Sequence, residues 1–241
     1  MLIKYFILLT VAGSILTGSD SLNYTVKFWK IPCVYLTMTT SENNRDNNRR
    51  VVFTTKTAKL FEFFFSVNNF YSTTFNPITY QMKRYEKKIN QSNLKQKMVI
   101  EWDSEKNGYW YEKTFFNRPP ETHNIFSLFV RGQESSIDEI DTKQWNLDHE
   151  GILMTARYLW VDSTIIKLGN TDYSANHFRL DLIKTGNKKN IHLKMTDIFS
   201  WGITLDNCTR QLWIERDGKK RILKAQVNVQ GFTLTAELDN D

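Results

Sequence analysis

The chain has 241 residues, 41% of them hydrophobic and 14% aromatic, which is enough for one sizeable core. Its formal net charge is +6, so nucleic acid has to be considered as a partner. The cations fall in separate clusters, however, that read as solvated hairpin tips and guards of sheet edges, and the expectation is no nucleic-acid partner.

The first twenty residues, MLIKYFILLTVAGSILTGSD, carry one early cation, Lys4, then an apolar run from Tyr5 to Leu16, then small and polar residues. That is the layout of a secretory signal peptide, with cleavage expected between Gly13 and Ser21, and the run is too short for a comfortable membrane span. Cys33 lies too far downstream to serve as a bacterial lipid anchor, so the mature chain is expected to be soluble and without a transmembrane span. Contact with an anionic membrane surface stays open. Cys33 and Cys208 are the two cysteines. In an oxidising compartment an even pair suggests a disulfide; the alternative is two buried, reduced thiols.

From Arg49 onward the pattern is strand after strand. RRVVFTTKTAK places Val51, Phe53, Thr55 and Thr57 on one face. LFEFFFSV is apolar on both faces and is expected to be a central strand covered on each side. The cations Arg45, Arg49, Arg50, Lys83, Arg84, Lys87 and Lys88 are read as solvated, with Tyr80 and Tyr85 as strand residues beside them. KQKMVIEWD and GYWYEKTFF flank Asn107-Gly108 and read as a hairpin.

Between these strands and the C-terminal ones stands PPETHNIFSLFVRGQ. Pro119-Pro120 supplies a helix start, Glu121 puts negative charge in the first turn, and Gly132 reads as a stop, which predicts one short helix over about 120–132. Ile125, Phe126, Leu128, Phe129 and Val130 form a wide apolar stripe. A helix this short is not stable alone. It is expected to plug the concave side of the sheet through Ile125, Leu128 and Phe129, with His123 on an exposed rim. The following stretch, ESSIDEIDTKQWNLDHE over 134–150, is acidic and reads as an exposed loop.

The C-terminal end predicts a three-strand meander. A two-residue turn at Asp217-Gly218 sets Glu215 opposite Lys220, Trp213 opposite Ile222 and Leu212 opposite Leu223. A second turn at Gln230-Gly231 pairs Val229 with Phe232, Val227 with Leu234, Ala225 with Ala236 and Leu223 with Leu238. On its other face Asn228 meets Thr233, Gln226 meets Thr235 and Lys224 meets Glu237. Lys184, Lys188 and Lys189, and Arg216, Lys219, Lys220 and Arg221, are the remaining basic clusters. With no linker rich in Pro, Gly or Ser, residues 22–239 are expected to form a single, mainly β domain: an antiparallel meander of about a dozen strands, curled into a half-barrel or open barrel around the helix.

Catalytic motifs are missing. The chain has no phosphate loop, dinucleotide fingerprint, HExxH pair or GxSxG elbow. The histidines His123, His149, His177 and His192 lack metal-like spacing, and Asp138, Glu139 and Asp141 lack the oxygen alternation of a calcium loop. The expectations are therefore no metal, no cofactor and no catalytic residue. Sequons stand at Asn23, Asn90 and Asn207.

The order of segments resembles an exported bacterial family, the domain of unknown function 3108, across roughly residues 22–239. YTVKFWKIPCVYLTM resembles its opening strand pair around an Ile-Pro element, and TAKLFEFFFSVNNFYSTTFNPITYQMKRYEKK the block leading to a proline, here Pro77. VIEWD matches a strand ending in Asp. PPETHNIFSLFVRG looks like its short helix ending in Arg131, and QLWIERDGKKRILKAQVNVQGFTLTAEL like its final meander. Lys30 and Val34 depart from the glycines usual around Ile31-Pro32, and Glu121 stands where an aspartate is usual. The resemblance implies a curled antiparallel sheet around one helix, similar to a small lipoprotein associated with capsule assembly, located in the periplasm or on the outer surface of a bacterial cell. It implies no established reaction.

Three functions compete at this point. The first is a non-enzymatic envelope protein that binds an apolar or amphipathic ligand, lipid-like or a glycan, in the concave sheet. The second is an assembly factor of the envelope that works through protein contacts, with 134–150 and the basic hairpin tips as docking surfaces. The third is an uncharacterised hydrolase, which needs His123 or Arg131 to face an open cavity.

Overall fold

Period-two alternation of apolar and polar side chains builds strands along most of the chain, and one stretch of helical period interrupts them. The computed structural model describes residues 20–43, 47–185, 197, 199–200, 202, 205–229 and 231–239. The signal-peptide reading, Arg45, Lys188, Lys189 and His192 lie outside the described residues.

An N-terminal arm holds β1 (Asp20–Phe28), β2 (Ile31–Asn43), β3 (Asn48–Thr57), β4 (Asn68–Phe75), β5 (Met82–Gln91), β6 (Leu94–Asp103), β7 (Gly108–Tyr111) and β8 (Thr114–Asn117). After α1 (Ile125–Glu134) and the one-turn α2 (Ile137–Ile140) comes a second arm: β9 (Gln144–His149), β10 (Ile152–Leu168), β11 (Thr171–Lys184), β12 (Cys208–Glu215), β13 (Ile222–Val229) and β14 (Phe232–Leu238). Each arm is an antiparallel meander. β1 pairs with β14 and joins them into one 14-stranded open sheet whose edges are β8 and β9.

The sheet curls until its two edge regions meet, and polar bonds close the seam. Thr122 and His123 fill the gap: Met82 N donates to Thr122 O at 3.0 Å, His123 N to Asn146 O and Asp148 N to His123 O, both at 2.9 Å. Tyr109 Oη lies 2.9 Å from both Met82 O and Thr122 O. An unpaired strand edge in this position would leave backbone groups unsatisfied inside the fold, so the extended segment before α1 acts as a short substitute strand.

α1 lies inside the curl, as the stripe requires. Ile125, Phe126, Leu128 and Val130 are buried, and Phe129 packs partly exposed against the same core. Phe126 is the centre of an aromatic cluster with Phe53 (4.8 Å between ring centres), Tyr71 (5.4 Å), Tyr85 (5.8 Å) and Phe199 (5.2 Å). The helix begins later than expected, because Asn124 and Ser127 form the capping box that starts it. Pro119 and Pro120 belong to the preceding turn, and Glu121 has φ 57°, outside the helix. Gly132 is no stop: a Cβ there would lie 2.7 Å from Tyr158 Oη, so the glycine lets α1 close on β10.

Several other expectations change. The Gln230-Gly231 hairpin has the predicted register from Lys224↔Glu237 to Val229↔Phe232. The Asp217-Gly218 hairpin does not: Trp213 faces Lys224, and a bulge separates it from Ile214, which faces Ile222. The cause is Arg221, which folds back to pair Glu215 through two 2.9 Å bonds and opens a wider loop. Val51, Phe53, Thr55 and Thr57 share the buried face of β3 as expected. LFEFFFSV is no central strand; it forms a 3-10 turn at Lys59–Phe61 and a loop in which Phe63 is 93% and Phe64 77% exposed. GYWYEKTFF divides into β7 and β8 at Glu112, whose φ is 53°. Residues 134–150 are not an exposed loop, since they build α2 and β9 and bury Asp148, His149 and Glu150. Tyr80 lies in the turn before β5 with φ 58° rather than in a strand. Cys33 and Cys208 are both free: Cys33 Sγ lies 3.2 Å from Val26 O and Cys208 Sγ 3.6 Å from Gly202 O.

Candidate functional site

Two buried features could carry function, one charged and one apolar. The charged one starts at Lys87. Period two in β5 puts Tyr85, Lys87 and Ile89 on the core face, so this lysine is fully buried and not the solvated cation its neighbours suggested. Its ammonium lies 2.6 Å from Glu150 Oε1 and 2.9 Å from Asp197 Oδ2, and all three side chains are inaccessible to solvent. Tyr71 Oη donates to Asp197 Oδ1 at 2.7 Å, and Ser200 Oγ to Asp197 Oδ2 at 2.8 Å. Tyr85 Oη reaches Glu150 Oε1 at 3.3 Å. Burial alone would raise Asp197, but Lys87 beside it holds that carboxyl below its ordinary range. Burial, reinforced by these carboxylates, keeps the Tyr71 and Tyr85 phenols well above theirs.

A second knot adjoins it at the seam. Arg118 Nε lies 2.5 Å from Asp148 Oδ2, Arg118 Nη2 donates to Gly151 O at 2.9 Å, and Tyr111 Oη donates to Asp148 Oδ1. Burial pushes the Asp148 carboxyl up to about 8, with Glu150 adding to the rise. Both knots tie the N-terminal arm (Tyr71, Lys87, Tyr111 and Arg118) to residues of the second half of the chain. Asp148 and Asp197 have both oxygens engaged by internal donors, whereas Glu150 uses Oε1 and leaves Oε2 buried without a partner among the described residues, so the knots act as a clasp between the two arms.

His123 and Arg131, the residues a hydrolase would need, are close to each other, with Arg131 Nη1 3.2 Å from His123 Nε2. His123 is fully buried, not on an exposed rim. Burial first, and then the Arg131 charge, lower its imidazole to about 3, so it is neutral at physiological pH. Arg131 donates to Thr79 O at 3.2 Å and lies over Tyr80 and Trp145. Both residues sit in the seam, where His123 Nδ1 and Arg131 Nε are buried without a partner among the described residues, and neither lines the apolar cavity beneath α1 or the groove leading from it.

The apolar feature is a cavity of about 200 Å³ between the middle of the sheet and the helix. α1 packs mainly toward β3, β4, β9 and β12, with Tyr158 of β10 against Gly132, and the cavity lies between it and β1, β2, β13 and β14. Val26, Leu36, Met38, Phe53, Ile125, Phe129, Leu180 and Leu212 line the space. Ala225 pairs with Ala236 in the middle of this wall, and their short side chains leave the room. Two hydroxyls interrupt the apolar wall. Tyr24 faces Leu36, which faces Thr55, so the two hydroxyl-bearing residues flank one leucine across three strands. Both oxygens are buried and without a hydrogen-bond partner among the described residues. Cys33, Val227 and Leu234 continue from this cavity into a groove of about 300 Å³ lined by Phe28, Phe61, Phe65, Val229 and Phe232.

Comparison with known proteins agrees with this architecture. Residues 23–136 match a protein family of unknown function, DUF3108. The DUF3108 match spans the N-terminal arm, α1 and the start of the next turn, whereas the resemblance was expected across 22–239. A crystal structure of a beta-barrel-like protein of domain of unknown function DUF1849 from Brucella abortus has the same fold, with a TM-score of 0.56 at 8% identity over 92% of this chain and 96% of that one. No curated protein matches the chain. Among the described residues no helix is long and apolar enough to cross a membrane.

Of the residues predicted to plug the sheet, Ile125 and Phe129 line the cavity and Leu128 is buried in the core. The sequence reading missed Lys87, although strict alternation with Tyr85 and Ile89 already placed it inward. It also missed the cavity, although Ala225 facing Ala236 in a predicted meander was a visible thin point. Glu150 and Asp197 had no such signal, since only the closed seam brings them to Lys87.

Proposed function

We propose that this is an exported, non-enzymatic envelope protein that holds an amphipathic, lipid-like ligand in the concave face of its sheet. The supporting observation is the cavity: an apolar space bordered by Tyr24 and Thr55, whose hydroxyl oxygens are buried beside it and have no hydrogen-bond partner among the described residues. An empty apolar cavity of roughly 150 Å³ can already admit benzene, so a space of this kind takes a short acyl or aryl segment. A purely hydrocarbon ligand leaves both hydroxyls as they are, whereas a carboxyl or ester carbonyl that reaches them accepts their hydrogen bonds, a gain of about 0.5–1.5 kcal/mol each. The apolar groove that continues outward from Cys33 gives the rest of the chain a path to the surface. Export rests on the leader pattern in residues 1–20.

Titration with a fluorescent fatty acid tests the reading. Saturable binding is expected, with loss of at least tenfold in affinity on Ala236→Phe, which fills the cavity, and no loss of thermal stability. Tyr24→Phe is expected to weaken the fatty acid about tenfold while leaving an uncharged aromatic probe unchanged, the value of one well-placed hydrogen bond. Binding that never saturates, or that ignores Ala236→Phe, counts against the cavity as the site.

A further inference from the structure

The mouth of the groove opens at the end of the sheet formed by the β1–β2, β3–β4 and β13–β14 turns. Large apolar side chains stand out from all three. Trp29 is 65% and Leu60 71% exposed, beside the still more exposed Phe63 and Phe64, and Phe232 is half exposed. They form one patch with the mouth itself. Trp29 and Phe28 stack on each other (5.2 Å), both stack on Phe232 (6.0 Å), and Phe61 touches Phe65 (5.6 Å), while Ala58 N bonds Cys33 O at 2.9 Å and ties the β3–β4 loop to the β1–β2 turn. Lys30 and Lys59, both exposed, flank the aromatics in the same turns, against one exposed acid, Glu62.

From this arrangement we infer that the aromatic rim docks on the surface of an anionic lipid bilayer, with the groove mouth facing the acyl region. Aromatic tips beside lysines are the composition of an interfacial anchor: rings enter the headgroup layer and ammonium groups stay with the phosphates. Self-association fits less well, because a two-fold contact through this patch would bring Lys30 and Lys59 against their own copies. The patch also surrounds the entrance to an apolar space, so a lipid tail can pass from bilayer to cavity without crossing water. This docking deepens the ligand-binding reading and rests on it for the purpose of the site, but it can be measured separately.

Sedimentation of the full mature chain with vesicles of phosphatidylglycerol and phosphatidylcholine, and with phosphatidylcholine alone, is the test. Binding is expected to favour the anionic vesicles and to weaken in high salt. The triple variant W29S/F63S/F64S is expected to lower the partition coefficient at least about tenfold with its circular dichroism and melting point kept, because these rings are exposed. The charge reversal K30E/K59E should remove the preference for anionic lipid. Three results would overturn the docking: no vesicle binding by the native chain, equal binding by the triple variant, or a concentration-dependent dimer that the triple variant abolishes. Ala236→Phe separates the two proposals. Vesicle binding should survive it while fatty-acid binding is lost, and fatty-acid binding without any vesicle binding would remove the docking and leave the cavity reading intact.

Discussion

Lys87 is the residue on which most of the buried charge depends. Its ammonium touches Glu150 and Asp197, and without it two carboxylates remain in a water-free pocket. Lys87→Met is therefore expected to destabilise the fold by about 3–5 kcal/mol, read as a lowered urea midpoint. Replacing the whole set, Lys87→Met with Glu150→Gln and Asp197→Asn, should recover much of that loss, because the cost lies in the uncompensated charge and not in the missing side chain. A triple variant no more stable than Lys87→Met would show that the clasp contributes through its hydrogen bonds instead.

At the scale of elements, α1 decides how tightly the sheet can curl. The helix lies against β10 only because Gly132 has no Cβ, and Tyr158 uses the space to donate from Oη to Leu128 O at 3.0 Å. Gly132→Ala should raise helix propensity by about 1 kcal/mol, yet the overpacking against Tyr158 is expected to cost about 1–3 kcal/mol. The prediction is a net fall in melting temperature, relieved only in part by Tyr158→Phe, because the ring Cζ, 2.9 Å from such a Cβ, stays in place when the oxygen is removed. The helix itself was legible in the sequence through its Ile-Phe-Leu-Phe stripe. Its start was not, because Pro119-Pro120 is a strong local signal, whereas the Asn124–Ser127 capping box stands deeper in the same segment. The wide loop before Arg221 was illegible for a different reason. Asp217-Gly218 favours a tight turn locally, and the Glu215–Arg221 pair outweighs it.

The whole molecule is a sheet tied shut by buried polar groups, and its stability should follow their protonation. His123 is neutral in the folded chain, held at about 3 by burial and by Arg131, while the unfolded chain takes up a proton near 6.5. Its contribution is complete above pH 6.5 and is lost as pH falls from there toward 3, by about 1.4 kcal/mol for each pH unit. His123→Gln keeps an acceptor for Arg131 and cannot titrate. Relative to the native chain it should gain stability at that rate below pH 6.5, by urea unfolding across pH 4–8. The comparison isolates His123 from Asp148, whose raised carboxyl acts in the opposite sense, favouring the fold at acid pH and losing that advantage as pH rises toward 8. Parallel curves for the two proteins would mean that His123 reaches solvent.

By itself the sequence determined the strand pattern, the last hairpin's register and the apolar helix that the sheet encloses, because alternation and helical period are local and repeat over many residues. Only the tertiary structure decided where charge is buried and where apolar surface is left over. Lys87 finds its acids, and His123 its backbone partners at Asn146 and Asp148, across a seam that exists only once the edges of the sheet meet. LFEFFFSV looked like a central strand by composition, yet only Val67 at its end bridges a strand, and its phenylalanines become the rim of the cavity mouth. Burial is a property of the partners that the closed sheet brings together, and a segment's own residues do not specify them.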